Sequence, residues 1–333
     1  MRDFYSWVLL VAAMAATLLL NLPEVRYSTL ASVMPTLADE GLRRLGEPVL
    51  TPLPDGFALS AADIDKTRGL AWALPMADGA LAVRVQAEVA LDAVGEGEKP
   101  WHRAMLSVRM VDALGKGHER AAFIGAGTQA GAVDSVILLV PETSELQLMA
   151  RLLRVPGTFS VSELRLSWLV ERAWVSPALL ALWVLWLVAF GALLAHWLHA
   201  ARYRAGLVLT FALVLAAVAM PGEWRNVLQL QVTAWVHGWL DWLGWALPEA
   251  EGRGLSDYVH FLMFALLGAA LAVARRDLAA WRLIGGLILL GAATEAMQFL
   301  VPGREGGWLD VGLDAGGAML GVLVTRLGFM RMA

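Results

Sequence analysis

The sequence predicts a polytopic α-helical membrane bundle with an inserted antiparallel β-sandwich, and three observations carry that expectation. The chain of 333 residues is 58% hydrophobic and 17% charged, with a mean hydropathy of +0.60; this is too apolar for an ordinary soluble domain. Six segments meet or approach the roughly 17–25 apolar residues that a helix needs to cross a hydrocarbon core. Between the first two of them lies a polar block, 23–172, that holds all three lysines and shows strand-like alternation.

Charge and cysteine content narrow the function classes. Most acidic residues fall in the polar block, so the net charge of -4 reflects that block more than any partner, and nothing in the pattern points to nucleic acid. With 0 cysteines the chain has no disulfides, thiolate metal ligands or thiol nucleophiles. No cofactor is expected.

The first apolar segment, Phe4 to Leu22, follows Arg2 and ends at Pro23. No small-residue cleavage site follows it directly, so 1–22 reads as a retained anchor. Trp174 to Leu198 and Ala205 to Met220 form a helical hairpin around a basic turn with Arg202 and Arg204, closing a segment 173–204 before a C-terminal domain at 205–333. The last three spans are Asp257 to Ala274, Trp281 to Leu300 and Leu309 to Leu327. If the six alternate, Arg2, Arg202 with Arg204, Arg275 with Arg276 and Arg282, and Arg326 with Arg331 fall on one side. Positive residues stay cytoplasmic, which puts both termini inside a cytoplasmic (inner) membrane and residues 23–172 outside it.

One further segment, 223–247, places Trp235, Trp239 and Trp242 at i, i+4 and i+7 with Trp224 and Trp245 nearby. Tryptophan favours the membrane interface, so an amphipathic helix lying on the outer leaflet is expected, with an aromatic wall for a lipid or sugar as the alternative.

Within the polar block, ALAVRVQAEVAL (80–91) alternates Leu81, Val83, Val85, Ala87, Val89 and Leu91 with Arg84, Gln86 and Glu88, as a half-buried strand does. Further strands are expected at 105–111, 135–140, 146–153 and 159–169, with glycine-rich turns between them; short strands of this kind favour an antiparallel sandwich. The run LLRVPGTFSVSELRLSWL (152–169) resembles the closing strands of jelly-roll carbohydrate-binding modules. That resemblance implies a glycan partner, with a spacer or protein-contact role as the alternative; Trp72 and Trp101 are the candidate stacking aromatics, with a place in the core as the other reading of each. Trp101 and His102, in the turn-like EKPWHR, are expected to be exposed.

The polar groups of the C-terminal domain gather at one depth. Asp257 and His260 stand at i and i+3 near the start of the fourth span, and Glu295 and Gln298 repeat that spacing near the end of the fifth, so each pair shares a helix face. Asp310 and Asp314 are one turn apart at the start of the sixth, and Arg304 lies in the loop between. At about 1.5 Å rise per residue, Glu295 sits some 7.5 Å below Leu300.

SDYVHFLMFALLG (256–268) with TEAMQFLVPGREGGWLDVGLDAGGAMLG (294–321) resembles the VanZ-like membrane family. Asp257, His260 and Phe261 match its Asp-Lys-x-x-His-Phe opening, Glu295 and Gln298 its Glu-x-x-Gln pair, and Pro302 and Arg304 its Pro-x-Arg loop; Asp310, Gly317 and Gly321 match its closing motif. Tyr258 stands where that family usually has lysine, and Asp314 where asparagine is usual. The family takes its name from an association with resistance to a lipophilic glycopeptide antibiotic, so the resemblance implies a cell-envelope role without naming a reaction.

Ionisable groups at membrane depth cost about 2.5–3.5 kcal/mol near a helix centre and need partners. In a structural account Glu295 pairs with Arg304, Asp310 caps the sixth helix, and His260 and Gln298 bond across helices. In a catalytic account His260 and Glu295, with Asp257 and Asp310, move protons, while Arg304, Gln298 and Asp314 hold a ligand such as a polyprenyl-phosphate or lipid-linked sugar. In a third account the protein binds a glycan or amphiphile without reaction, or scaffolds a polysaccharide export assembly with other envelope proteins. A transporter is disfavoured by the purely apolar opposite halves of the spans. A metal site from Asp257, His260, Glu295 and Asp310 has only one imidazole, so no metal is expected. Gly312, Gly316, Gly317 and Gly321 supply small-xxx-small spacings for tight helix packing.

Overall fold

The computed structural model describes residues 2–62, 66–242, 255–301, 304 and 306–332, with side chains described except at 2–4, 226, 233, 236–242, 255–257 and 329–332. The chain divides into two compact units, Arg26–Ala173 and a second made of Met1–Val25 with Trp174–Ala333.

The first unit is a β-sandwich of eleven strands: β1 (Tyr27–Val33), β2 (Leu42–Leu45), β3 (Val49–Leu53), β4 (Gly56–Ala61), β5 (Arg68–Leu74), β6 (Ala82–Val94), β7 (Ala104–Val111), β8 (Gly117–Gly125), β9 (Gly127–Leu138), β10 (Glu145–Leu152) and β11 (Gly157–Glu171). One sheet runs β3-β4-β11-β6-β9 with β1 also on β11, the other β2-β5-β10-β7-β8. Every pairing is antiparallel. Strand β6 turns Val83, Val85, Ala87, Val89 and Leu91 inward. There they join Leu59, Leu70, Trp72, Leu106, Leu148 and Phe159 from both sheets in one dry core, as two facing half-apolar sheets require. The expected strand at 135–140 is the end of the longer β9, whose first half, GTQAGAV, has no apolar alternation to reveal it. Strand β5 escapes the same test because most of its residues are buried on both faces. Gly157, at the start of β11, has φ +121°, and a Cβ there would lie 2.6 Å from Val94 Cα; only glycine fits.

The second unit is helical: α1 (Arg2–Leu20), the single turn α2 (Pro23–Arg26) that leads out of it, α3 (Val175–Leu198), α4 (Arg204–Ala219), α5 (Gly222–Trp242), α6 (Leu255–Ala274), α7 (Ala280–Gln298) and α8 (Trp308–Met332). Among the described residues three helices, α3, α7 and α8 as far as Gly328, are long and apolar enough to cross a membrane. Helices α4 and α5 pass that test only together, across a bend of 110°, while the apolar helices Tyr5–Leu20 and Tyr258–Ala274 are shorter. The bend falls at Pro221, whose ring removes an amide donor. On α5, Trp224 and Trp235 are exposed; the side chains of Trp239 and Trp242, and all of Trp245, lie outside the described residues.

Aromatic rings tie the helices together. Trp186 stacks on Phe190, and Phe190 and Trp197 meet Phe211 edge-on. The buried Trp186 indole donates to Thr17 Oγ1 at 3.0 Å, joining α3 to α1. At one end of the unit the basic turns converge on backbone carbonyls. Arg202 N–H donates to Ala274 O, the Arg275 guanidinium to His196 O, and Arg326 to the carbonyls of Arg275, Arg276 and Leu278. The opposite ends of α6 and α8 are held by backbone proximity: a Cβ on Gly317 would stand 2.1 Å from Phe261 O, and one on Gly321 2.0 Å from Ala265 O.

Gly317→Ala or Gly321→Ala must therefore push α8 off α6. Overpacking of this kind costs about 1–3 kcal/mol, which thermal unfolding of the detergent-purified chain would register. Gly312→Ala, with nothing within 4 Å of the new Cβ, is expected to unfold like the parent.

Candidate functional site

The site lies at the end of the helical unit where α6 begins, α7 ends and α8 begins. The α6–α8 contact sets Phe261 O against Gly317 and Ala265 O against Gly321, so His260, the residue before Phe261, faces Asp314, about one turn before Gly317 on α8. His260 Nδ1 lies 3.2 Å from Asp314 Oδ1 and 3.9 Å from Glu295 Oε1 on α7. Gln298 donates to Glu295 Oε1 at 2.5 Å, and the Gly307 amide donates to Glu295 Oε2 at 3.0 Å. All four groups are taken out of solvent: Asp314 is 0% exposed, Gln298 1% and Glu295 4%, and the His260 side chain is 13% exposed.

Space for Asp314 comes from Gly291 on α7, where a Cβ would lie 3.0 Å from Asp314 Cβ. Asp314 Oδ2, beside that glycine, has no hydrogen-bond partner. Gly306 is required in the loop, since its Cβ would stand 2.5 Å from Glu295 O. The α7–α8 loop is thereby pressed onto the last turn of α7, which brings the Gly307 amide to Glu295.

Several expectations need correction. Glu295 does not pair with Arg304; its oxygens are taken by Gln298 and Gly307, both closer in the fold than any guanidinium. The acid that completes the cluster is Asp314, not Asp310. Asp310 stays half-buried in the first turn of α8, where the helix dipole favours its charge, and no hydrogen bond or ion pair joins it to the other three among the described residues. Among the described residues the set able to hold a cation is therefore His260, Glu295 and Asp314, whose ligand atoms lie within 4.8 Å of one another. One imidazole with two carboxylates is an acceptable set for a divalent ion, and the same atoms can share a proton. The side chain of Asp257, and all of Pro302, lie outside the described residues.

His260 opens onto a cavity of about 130 Å³ between α4, α5 and α6. Its walls are apolar, with Val214, Val218, Leu228, Val232, Met263 and Phe264 among them, and its polar groups are His260, Arg304, Arg225 and Gln229. Arg304 is 7% exposed and its Nε has no partner; Arg225 Nε is likewise buried and unpartnered. Burial first, and then the Arg225 charge, hold the Arg304 guanidinium below its ordinary pKa, while Glu295 and Asp310 pull the other way. Arg225 was not among the expected site residues. Its signal was there in the i, i+4 pair Arg225 and Gln229 on one face of α5, hidden by reading that segment through its tryptophans.

In the sandwich, Trp101 is 56% exposed with the Lys99 ammonium 5.3 Å from its ring centre. Its neighbour His102 is 8% exposed, contrary to expectation: the turn folds back so that His102 shares backbone hydrogen bonds with Gly97 and Lys99. Trp72 is a core residue, fully buried, with its indole donating to Thr36 O.

No family model matches the chain, and no curated protein matches it significantly. Solved structures similar to it include the CBM22-1 xylan-binding domain of Paenibacillus barcinonensis Xyn10C, 13% identical, covering 44% of this chain and 97% of that one at a TM-score of 0.29. The xylan-binding module CBM15 is 14% identical and covers 44% of this chain and 100% of that one at 0.29. The active domain of bacteriophage CBA120 tailspike protein 4 is 12% identical over 39% of this chain, at 0.29; the match spans only 19% of that protein. At such scores the description of the sandwich rests on its own strand pairing.

The His260–Asp314 bond sets a measurable outcome. Asp314→Asn keeps a hydrogen-bonding partner for His260 and removes a buried charge, so its unfolding midpoint should equal or exceed that of the parent. Asp314→Leu strands the imidazole and should lose about 1–3 kcal/mol. Equal stability of the parent and the leucine variant in a detergent melt would show that the bond does not form.

Proposed function

We propose that this chain is a multi-pass, VanZ-like protein of the cytoplasmic membrane, with both termini inside the cell and residues 23–172 outside, that binds and handles a lipid-linked glycan at an outward-facing site in its helical unit. The observation that carries this reading is the buried set His260, Glu295 and Asp314 at the edge of an apolar cavity. Three helices of spanning length and apolarity support the membrane setting. So does the collection of Arg202, Arg275 and Arg326 at the end opposite the site, as expected of a cytoplasmic face. An apolar cavity with charged groups at its edge suits an amphiphile, and the exposed Trp101 offers a flat face to a sugar.

The His260–Asp314 geometry favours a second, catalytic reading. Asp314 holds the imidazole in one orientation, so that His260 can take a proton from a ligand hydroxyl or return one to a leaving oxygen. Glu295, 3.9 Å away, is a second proton carrier, steadied by Gln298 and Gly307. The reaction would then be group transfer or hydrolysis at a lipid-linked sugar in the outer leaflet.

Native mass spectrometry of the detergent-purified chain tests the binding reading: a lipid-linked sugar should copurify, and purification without any such mass overturns it. Labelled lipid-linked sugar tests the catalytic one, because turnover should fall at least a hundredfold in His260→Ala and in Glu295→Gln, and preserved turnover in both removes it. Topology has its own check. The chain has 0 cysteines, so single substitutions at Leu114, 93% exposed, and Tyr203, 72% exposed, can be labelled separately. A membrane-impermeant maleimide should reach Leu114→Cys in intact spheroplasts and Tyr203→Cys only after lysis.

A further inference from the structure

The basic residues of the helical unit fall into two classes. At the end with the basic turns, Arg275 donates to Asp277 and to His196 O, and Arg326 donates to three carbonyls. At the other end, Arg225 and Arg304 line one cavity, and neither guanidinium makes a hydrogen bond or ion pair among the described residues. Arg304 is nevertheless 93% withdrawn from solvent, at 7% exposure. Two positive charges lining one apolar cavity, with no carboxylate paired to either among the described residues, are unfavourable by both desolvation and repulsion. Glu295 and Asp310 offset part of this for Arg304 at longer range, but neither makes an ion pair with it among the described residues, and the oxygens of Glu295 are held by Gln298 and Gly307.

We infer that Arg225 and Arg304 form a clamp for the phosphate of a single-chain lipid, with the first part of its hydrocarbon chain in the cavity walled by Val214, Val218, Leu228, Val232, Met263 and Phe264. This rests on the membrane-embedded reading above and names the headgroup class of the same site. Phosphate is favoured over carboxylate because a monoester dianion balances both guanidinium charges, while a carboxylate balances one. Arginine's planar fork also meets phosphate oxygens through paired N–H groups. The apolar walls favour a lipid over free phosphate, since they offer nothing to an inorganic ion. His260, on the same cavity, then stands next to the phosphate or the group esterified to it.

The test titrates the full chain in a non-ionic detergent with dodecyl phosphate, dodecanol and inorganic phosphate, following complex formation by native mass spectrometry. Dodecyl phosphate is expected to bind at least about tenfold tighter than either of the other two, as the loss of a charge-assisted bond or of the apolar contact implies. Arg225→Gln and Arg304→Gln should each weaken it by about tenfold or more, with Arg304→Lys recovering part of the loss. Should Arg304→Gln fail to fold, the more exposed Arg225→Gln decides the matter. Unchanged affinity in the glutamine variants, equal binding of dodecanol, or equal binding of inorganic phosphate each overturns the clamp. The two proposals separate cleanly. A lipid-linked sugar that still copurifies with both glutamine variants removes the clamp and leaves the site reading standing; arginine-dependent dodecyl phosphate binding without a copurifying sugar does the reverse.

Discussion

The close approach of α8 to α6 is the constraint on which the site depends. Two glycines one turn apart, Gly317 and Gly321, let α8 rest against the carbonyls of Phe261 and Ala265. No residue with a side chain permits that distance. The contact fixes both axial register and rotation, and in doing so it sets His260 across from Asp314 at hydrogen-bond distance. Helix α7 is then placed by a smaller device, Gly291, which makes room for the Asp314 side chain. A buried carboxylate is thus reached from two neighbouring helices because α8 itself and α7 surrender side-chain volume. Close backbone contact of this kind brings many van der Waals contacts to bear between α8 and α6.

How far the sequence reveals this depends on the range of the interaction. Long apolar runs are local signals, so all six expected spans are helices, with ends within a few residues of expectation. Strands β6, β7, β10 and β11 are legible for the same reason, through alternation that repeats within one segment. Strand β5 is buried on both faces and β9 begins in small residues, so neither shows a period. The site was legible in its membership more than in its pairing. Glu295, Gln298 and His260 could be placed on shared helix faces from spacing alone. Which acid His260 meets depends on the α6–α8 register, and which group satisfies Glu295 depends on a loop that folds back by means of Gly306 and Gly307. Neither is encoded in any local pattern, and the expected Glu295–Arg304 pair failed there.

The loop also explains how one carboxylate can be buried without a cation. Glu295 receives a side-chain amide on one oxygen and a backbone amide on the other, and hydrogen bonds to a carboxylate count for about twice neutral ones. Asp314 is less well served: its Oδ1 meets His260, and its Oδ2 meets nothing. The cluster therefore combines one settled acid with one that retains capacity for a proton, a cation or a ligand group. Structural polar glue between helices usually closes its own valences. This set leaves one open, on the fully buried Asp314, while its histidine lines a cavity, and that distinguishes it from a purely architectural network.

The two ends of the helical unit extend this contrast to the arginines. Both ends carry guanidinium groups, and both bury some of them. At the end with the basic turns, Arg275 and Arg326 are absorbed by carbonyls freed at helix C-termini, the partners that helix geometry supplies in surplus. At the end with the site, α5, α6 and α8 begin while α4 and α7 terminate, yet neither the Arg225 nor the Arg304 guanidinium takes a carbonyl among the described residues. Arg225 and Arg304 instead line an apolar cavity with their Nε atoms buried and unpartnered. Glu295 and Asp310 offset part of the cost for Arg304 from a distance, and the proposed anion at the cavity edge would complete both guanidinium groups at once.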